Sequence, residues 1–91
     1  MKLKEFNPVE MLHSKEEVAA YLTDAFQDDD PELFMVALAN VIKHNGVGAI
    51  AAQSGLNRES LYKVVRRETA PRFTTVKKIM DAAGVKMAVT A

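Results

Sequence analysis

The sequence predicts an all-α domain of five short helices, on three observations. Apolar residues recur at helical spacing along most of the chain, side chains that cap helix starts stand just before those stripes, and glycine or proline closes most of them. One stretch has a different period. The alternation of Val85-Lys86-Met87-Ala88-Val89 predicts a short terminal β-strand, with Leu3 to Phe6 as a pairing segment at the other end of the chain.

Taken in order, Ser14 followed three residues later by Glu17 is a capping box, and Val18, Tyr21, Leu22, Ala25 and Phe26 then mark one face of helix one. Asp30 supplies a cap and Pro31 a preset first residue for helix two, whose stripe is Phe34, Ala37, Leu38, Val41 and Ile42 and whose stop is Asn45-Gly46. The apolar run Ala49-Ile50-Ala51-Ala52 ends at Gly55 as helix three. Asn57 caps helix four, from Arg58 to about Arg67, before Pro71 breaks the chain; Val76, Ile79, Met80 and Ala83 mark helix five, closed by Gly84.

A chain of 91 residues is one domain, residues 1–91, with an N-terminal extension over 1–29. Its 48% hydrophobic and 26% charged residues are ordinary globular values, and no cysteine is present for a disulfide or a thiolate zinc site. No apolar run reaches the ~20 residues of a membrane span, and MKLKEF lacks the core of a signal peptide, so a soluble, cytoplasmic protein is expected. The zero net charge hides a polarity. Residues 1–45 hold nine acids against four lysines, a balance of −5, while residues 46–91 hold eight bases against three acids, a balance of +5. Such a chain can offer one end to a polyanion and the other to a basic partner, although solvated helix faces would show the same pattern.

The informative segment runs over 46–67. Two short helices joined by a glycine-containing turn outline a helix-turn-helix, whose second helix enters the major groove of DNA. Ala51 is small where the helices must approach, Gly55 gives the turn its freedom, and Ile50, Leu56, Leu61 and Val64 can share a core. On a wheel of ~100° per residue, Leu61, Val64 and Val65 share one arc, while Arg58, Tyr62, Arg66, Glu59 and Lys63 spread over about 60° to 200° from Leu61. Basic side chains on that face can donate to guanine, an acid can accept from cytosine, and tyrosine can meet a phosphate or a thymine methyl.

With Ala51, Gly55 and Leu61 in place, residues 46 to about 87 resemble the Xre, or Cro/C1-type, helix-turn-helix family, which implies a lambda-repressor-like fold. The whole chain, through KEFNPVEML, EEVAAYL, DDDPELFMVALANV, IAAQSGLNRESLYK and FTTVKKIMDAAGVK, resembles addiction-module antidote proteins of HigA-like type. That resemblance implies an antitoxin of a type II system that neutralises a RelE/HigB-like ribonuclease toxin and represses its own operon, as a homodimer on an inverted repeat in double-stranded DNA. It implies base reading by Asn57, Arg58, Glu59, Tyr62 and Lys63, flanked by Arg66. Val47-Gly48 stand where many Xre members carry a phosphate-gripping glutamine, and Arg72 or Lys77 is expected to compensate for the few bases in Ile42 to Asn45.

The −5 balance and this resemblance together place a basic toxin on the acidic half, with Glu16, Glu17, Asp24, Asp28 and Asp29 as contacts, Asp30 being reserved for capping. A dimer is expected through helix five and the tail, at Val85, Met87 and Val89, setting recognition helices about 34–36 Å apart.

Other motifs do not carry chemistry. Gly46-Val47-Gly48-Ala49-Ile50-Ala51 matches GxGxxA, but a helix rather than a strand precedes it; Asp28-Asp29-Asp30 lacks the spacing of a calcium loop. His13 and His44 have no neighbouring ligand or nucleophile, and Met11, Met35, Met80 and Met87 read as core filler. No cofactor, metal or catalytic group is expected. Three classes stay open to the sequence: an antitoxin that represses its operon, a stand-alone Xre-type regulator, and a protein-interaction module that binds no DNA.

Overall fold

The computed structural model of the chain describes residues 14–91. Over that span lie α1 (Lys15–Gln27), α2 (Pro31–Asn45), α3 (Val47–Ser54), α4 (Arg58–Val65) and α5 (Phe73–Ala82). Each start follows from local chemistry. The Ser14 hydroxyl accepts from the Glu17 amide at 3.1 Å, the Asp30 carboxylate from the Glu32 amide at 3.0 Å, and the Asn57 side-chain oxygen from the Ser60 amide at 2.7 Å, so amides without a partner inside the helix are satisfied.

Gly46 belongs to two helices at once. At φ +94° its N–H donates to the Ile42 carbonyl at 2.8 Å, closing α2, while its own carbonyl accepts from the Ile50 amide at 3.0 Å, opening α3. The two helices consequently turn by 96° within one residue. No single helix among the described residues is long and apolar enough to cross a membrane.

The core is centred on α2, which packs against α1, α3 and α4, while α5 is held through α3. Leu38, Val41 and Ile42 of α2, Ile50 of α3, Leu61 of α4 and Ile79 of α5 are fully buried, and Val18 and Leu22 bring α1 onto the same cluster. Burying each large aliphatic side chain contributes about 1.5–3 kcal/mol before the cost of ordering the chain. Tyr21 joins α1 to α2 by its polar end, its hydroxyl accepting from the Asn40 side-chain amide at 2.8 Å.

Two expectations need correction. No strand forms among the described residues, and the predicted pairing segment, Leu3 to Phe6, lies outside them. Val85 instead ends a helix. Gly84 takes a left-handed φ of +85°, and the Val85 amide donates back to the Met80 carbonyl at 3.1 Å, which seats the buried Val85 side chain in the core. From Lys86 onward the chain is exposed, Val89 by 92%. Phe26, placed on the apolar stripe of helix one, is 57% exposed and meets the Phe34 ring edge-on, centroids 5.4 Å apart.

Candidate nucleic-acid interface

Helices α3 and α4 are joined by Gly55, Leu56 and Asn57. Gly55 adopts the left-handed conformation at φ +79° and its N–H closes α3 onto the Ala51 carbonyl at 3.0 Å. The Ser54 hydroxyl then accepts from the Leu56 amide at 3.1 Å, which brings the half-buried Leu56 side chain against the core. Ser54 escaped sequence reasoning, since a serine at a helix end has no periodicity to mark it.

Leu61 and Val64 point α4 into the core, and its opposite side carries the expected polar residues. Arg58, Glu59, Tyr62, Lys63 and Arg66 are all exposed, with Asn57 exposed at the helix start. Their surroundings differ. The Asn57 side-chain oxygen accepts one hydrogen bond in capping, which fixes the side chain at the helix start. Arg58 lies against the first turn of α3, its guanidinium beside Gly48. Arg66 is held by acids, Nε donating to Glu68 at 2.6 Å and Nη2 standing 3.6 Å from Glu59. The hydrogen bond that Arg66 donates to Glu68 raises the Arg66 pKa above its ordinary value and lowers that of Glu68. Among the described residues, the exposed cations of α4 outside any ion pair are therefore Arg58 and Lys63, whereas Glu59 and Arg66 partly answer each other.

The end of α4 is unusual. Arg67 has a left-handed φ of +57°, the one non-glycine with positive φ among the described residues. Its amide donates to the Val64 carbonyl at 3.0 Å and that of Glu68 to the Lys63 carbonyl at 2.9 Å, the double closure for which glycine is the usual residue. Nothing in the sequence marks Arg67 for that geometry. Arg72 is exposed at the start of α5, where it caps with its backbone alone.

The acidic residues gather at the other end of the chain. Glu16 and Glu17 occupy the first turn of α1, where they also suit the helix dipole, and Asp24 lies further along it, all exposed. Asp28 and Asp29 are exposed in the α1–α2 turn, but the Asp28 carboxylate accepts from the Asp30 amide at 2.9 Å and so shapes the loop. Asp24 and Asp29 make no ion pair among the described residues. The exposed apolar side chains Phe73, Met87 and Val89 line one open cleft with Lys77, Met80, Asp81 and Lys86.

Over residues 2–91 the chain matches the family described as "Probable addiction module antidote protein". It is 36% identical over 88 residues to an uncharacterised protein of Haemophilus influenzae, an alignment that covers 97% of this chain and 91% of that one. No solved structure matches the chain.

Proposed function

Because the chain belongs to the probable addiction module antidote family, and an antidote implies a toxin, we propose that it is a HigA-like antitoxin that neutralises a RelE/HigB-like ribonuclease and represses its own operon through an Xre-type helix-turn-helix. The single observation that supports DNA binding most strongly is the exposed polar face of α4, presented beside the first turn of α3 by a core-anchored Leu61 and Val64. Arg58 and Lys63 are the donors best placed to read base edges, since neither forms an ion pair among the described residues. Arg66 and Arg72 serve as backbone contacts, and Arg66 has to exchange Glu59 or Glu68 for phosphate.

Neutralisation belongs to the acidic end. A ribonuclease must bind RNA phosphates with a basic surface, and the exposed carboxylates Glu16, Glu17, Asp24 and Asp29 offer that surface a complementary field. The working form is a homodimer on an inverted repeat, with Phe73, Met87 and Val89 as its apolar contact. Val85 drops out of that interface because it is buried within its own chain.

The two activities separate experimentally. Coexpressed with the protein encoded beside it, the wild type should restore growth and repress a reporter driven by its own promoter. Lys63→Ala should restore growth but lose repression. Loss of both by Lys63→Ala with an unchanged melting curve, or retention of both, would refute the assignment of α4 to DNA.

A further inference from the structure

Three of the four glycines have a backbone reason to be glycine: Gly46, Gly55 and Gly84 sit at φ of +94°, +79° and +85°. Gly48 has none. It lies in the first turn of α3 with negative φ, where glycine weakens a helix relative to alanine. What a Cβ at this position would meet is one side chain, Arg58, with Nη2 at 3.2 Å and Cζ at 3.6 Å. The first of these is shorter than the roughly 3.5–4.0 Å of favourable contact between non-bonded atoms. Arg58 is the first residue of α4, ten positions further along the chain, and it has no ion pair among the described residues, whereas Arg66 has two.

We infer that Gly48 is a positioning residue for Arg58. The missing side chain lets the guanidinium lie against the first turn of α3, Nη2 nearest the helix, which fixes it where the starts of α3 and α4 meet. The inference rests on the proposed DNA-binding role of α4 and adds to it the residue that sets where Arg58 is held. A methyl group at 48 displaces the guanidinium by a few tenths of an ångström or turns it away. A forked donor is sensitive to such a shift, because its hydrogen bonds weaken as they lose alignment.

The consequence is opposite in sign for folding and for binding. Gly48→Ala removes a helix-weakening residue, so the melting temperature should rise. On a duplex selected by the wild-type protein from a random pool, the same variant should bind roughly threefold to tenfold more weakly, in the lower part of the range expected when contacting side chains are coupled. In an Arg58→Ala background Gly48→Ala should leave affinity unchanged, since the side chain it displaces is gone. In the free protein, the Arg58 Nε–Hε resonance should move in Gly48→Ala while those of Arg66 and Arg72 stay put.

A Gly48→Ala variant that binds as tightly as wild type, a loss of equal size in the Arg58→Ala background, or an unmoved Arg58 resonance would each overturn the inference while leaving DNA binding by α4 intact. A wild-type protein that selects no duplex from the pool would overturn the DNA-binding role, and with it the role of Gly48.

Discussion

Replacing Arg67 by glycine should stabilise the protein, although it removes a charged side chain and adds no contact. Arg67 is held at φ +57° by the two backbone hydrogen bonds that close α4. A left-handed residue with a Cβ costs about 1–2 kcal/mol. Glycine escapes that cost but gives back roughly 0.5–1 kcal/mol through the greater freedom of its unfolded chain. The net gain then lies between about 0 and 1.5 kcal/mol, with about 0.5–1 kcal/mol at its centre. With an unfolding entropy of about 2.1 cal/mol/K per residue, a 91-residue domain converts this into a rise of about 3–5 °C in melting temperature. Circular dichroism melts of wild type, Arg67→Gly and Arg67→Ala provide the assay. Arg67→Ala keeps the Cβ and the strain, so it should melt within about 0.5 kcal/mol of wild type. Both variants lose the cation, so any change in DNA affinity should be common to the two. If Arg67→Gly melts no higher than Arg67→Ala, the closing turn is not strained and the reasoning fails.

At Gly84 the opposite substitution should be damaging: φ is +85° and a Cβ would stand 2.8 Å from Lys15 Cε, so Gly84→Ala should destabilise by about 1–2 kcal/mol, read from the denaturant midpoint at constant slope. Asn57→Ala removes the α4 cap and should cost about 1 kcal/mol, with Asn57→Gly losing less, in the same measurement. Reversing Glu16, Glu17 and Asp24 to lysine should slow association with the neighbouring gene's product steeply at low salt yet leave operator binding intact; an on-rate unchanged across ionic strength would assign capture to another surface. The Glu68 carboxyl, held below its ordinary range by Arg66, contributes to closure of α4 above its unfolded pKa and loses that contribution as pH falls through its folded value. Wild type and Glu68→Gln should therefore differ at neutral pH and converge in acid, as read from Arg67 amide exchange.

The helices were legible because their signals are local. Ser14, Asp30 and Asn57 each find a partner two or three residues away, so the sequence alone contains the whole interaction. The tail misled for the converse reason. Alternation over Val85-Lys86-Met87 looks the same whether it continues into a ladder or closes a helix, and what decides is the hydrogen bond from the Val85 amide back to the Met80 carbonyl. Phe26 fits the stripe of α1, but at the last turn its ring stays 57% exposed beside the edge-on Phe34 ring of α2. The exposed arc of α4 followed from the burial of Leu61 and Val64, whereas the division of its charges did not. Glu68 lies beyond the helix and reaches Arg66 only because Arg67 turns the chain left-handed, a conformation whose usual marker is glycine. The approach of Arg58 to Gly48 crosses a turn and joins residues ten apart, which no periodic pattern records.

The most direct test of DNA binding by α4 is the salt dependence of binding to the duplex upstream of the chain's own gene. Log K should fall linearly with log salt, Arg58→Ala should cost about 1–3 kcal/mol on that duplex and little on an unrelated one, and Arg66→Ala should weaken both alike while flattening the slope by roughly one unit. Binding that is absent, independent of salt, or unchanged by both arginine substitutions would contradict DNA binding by α4.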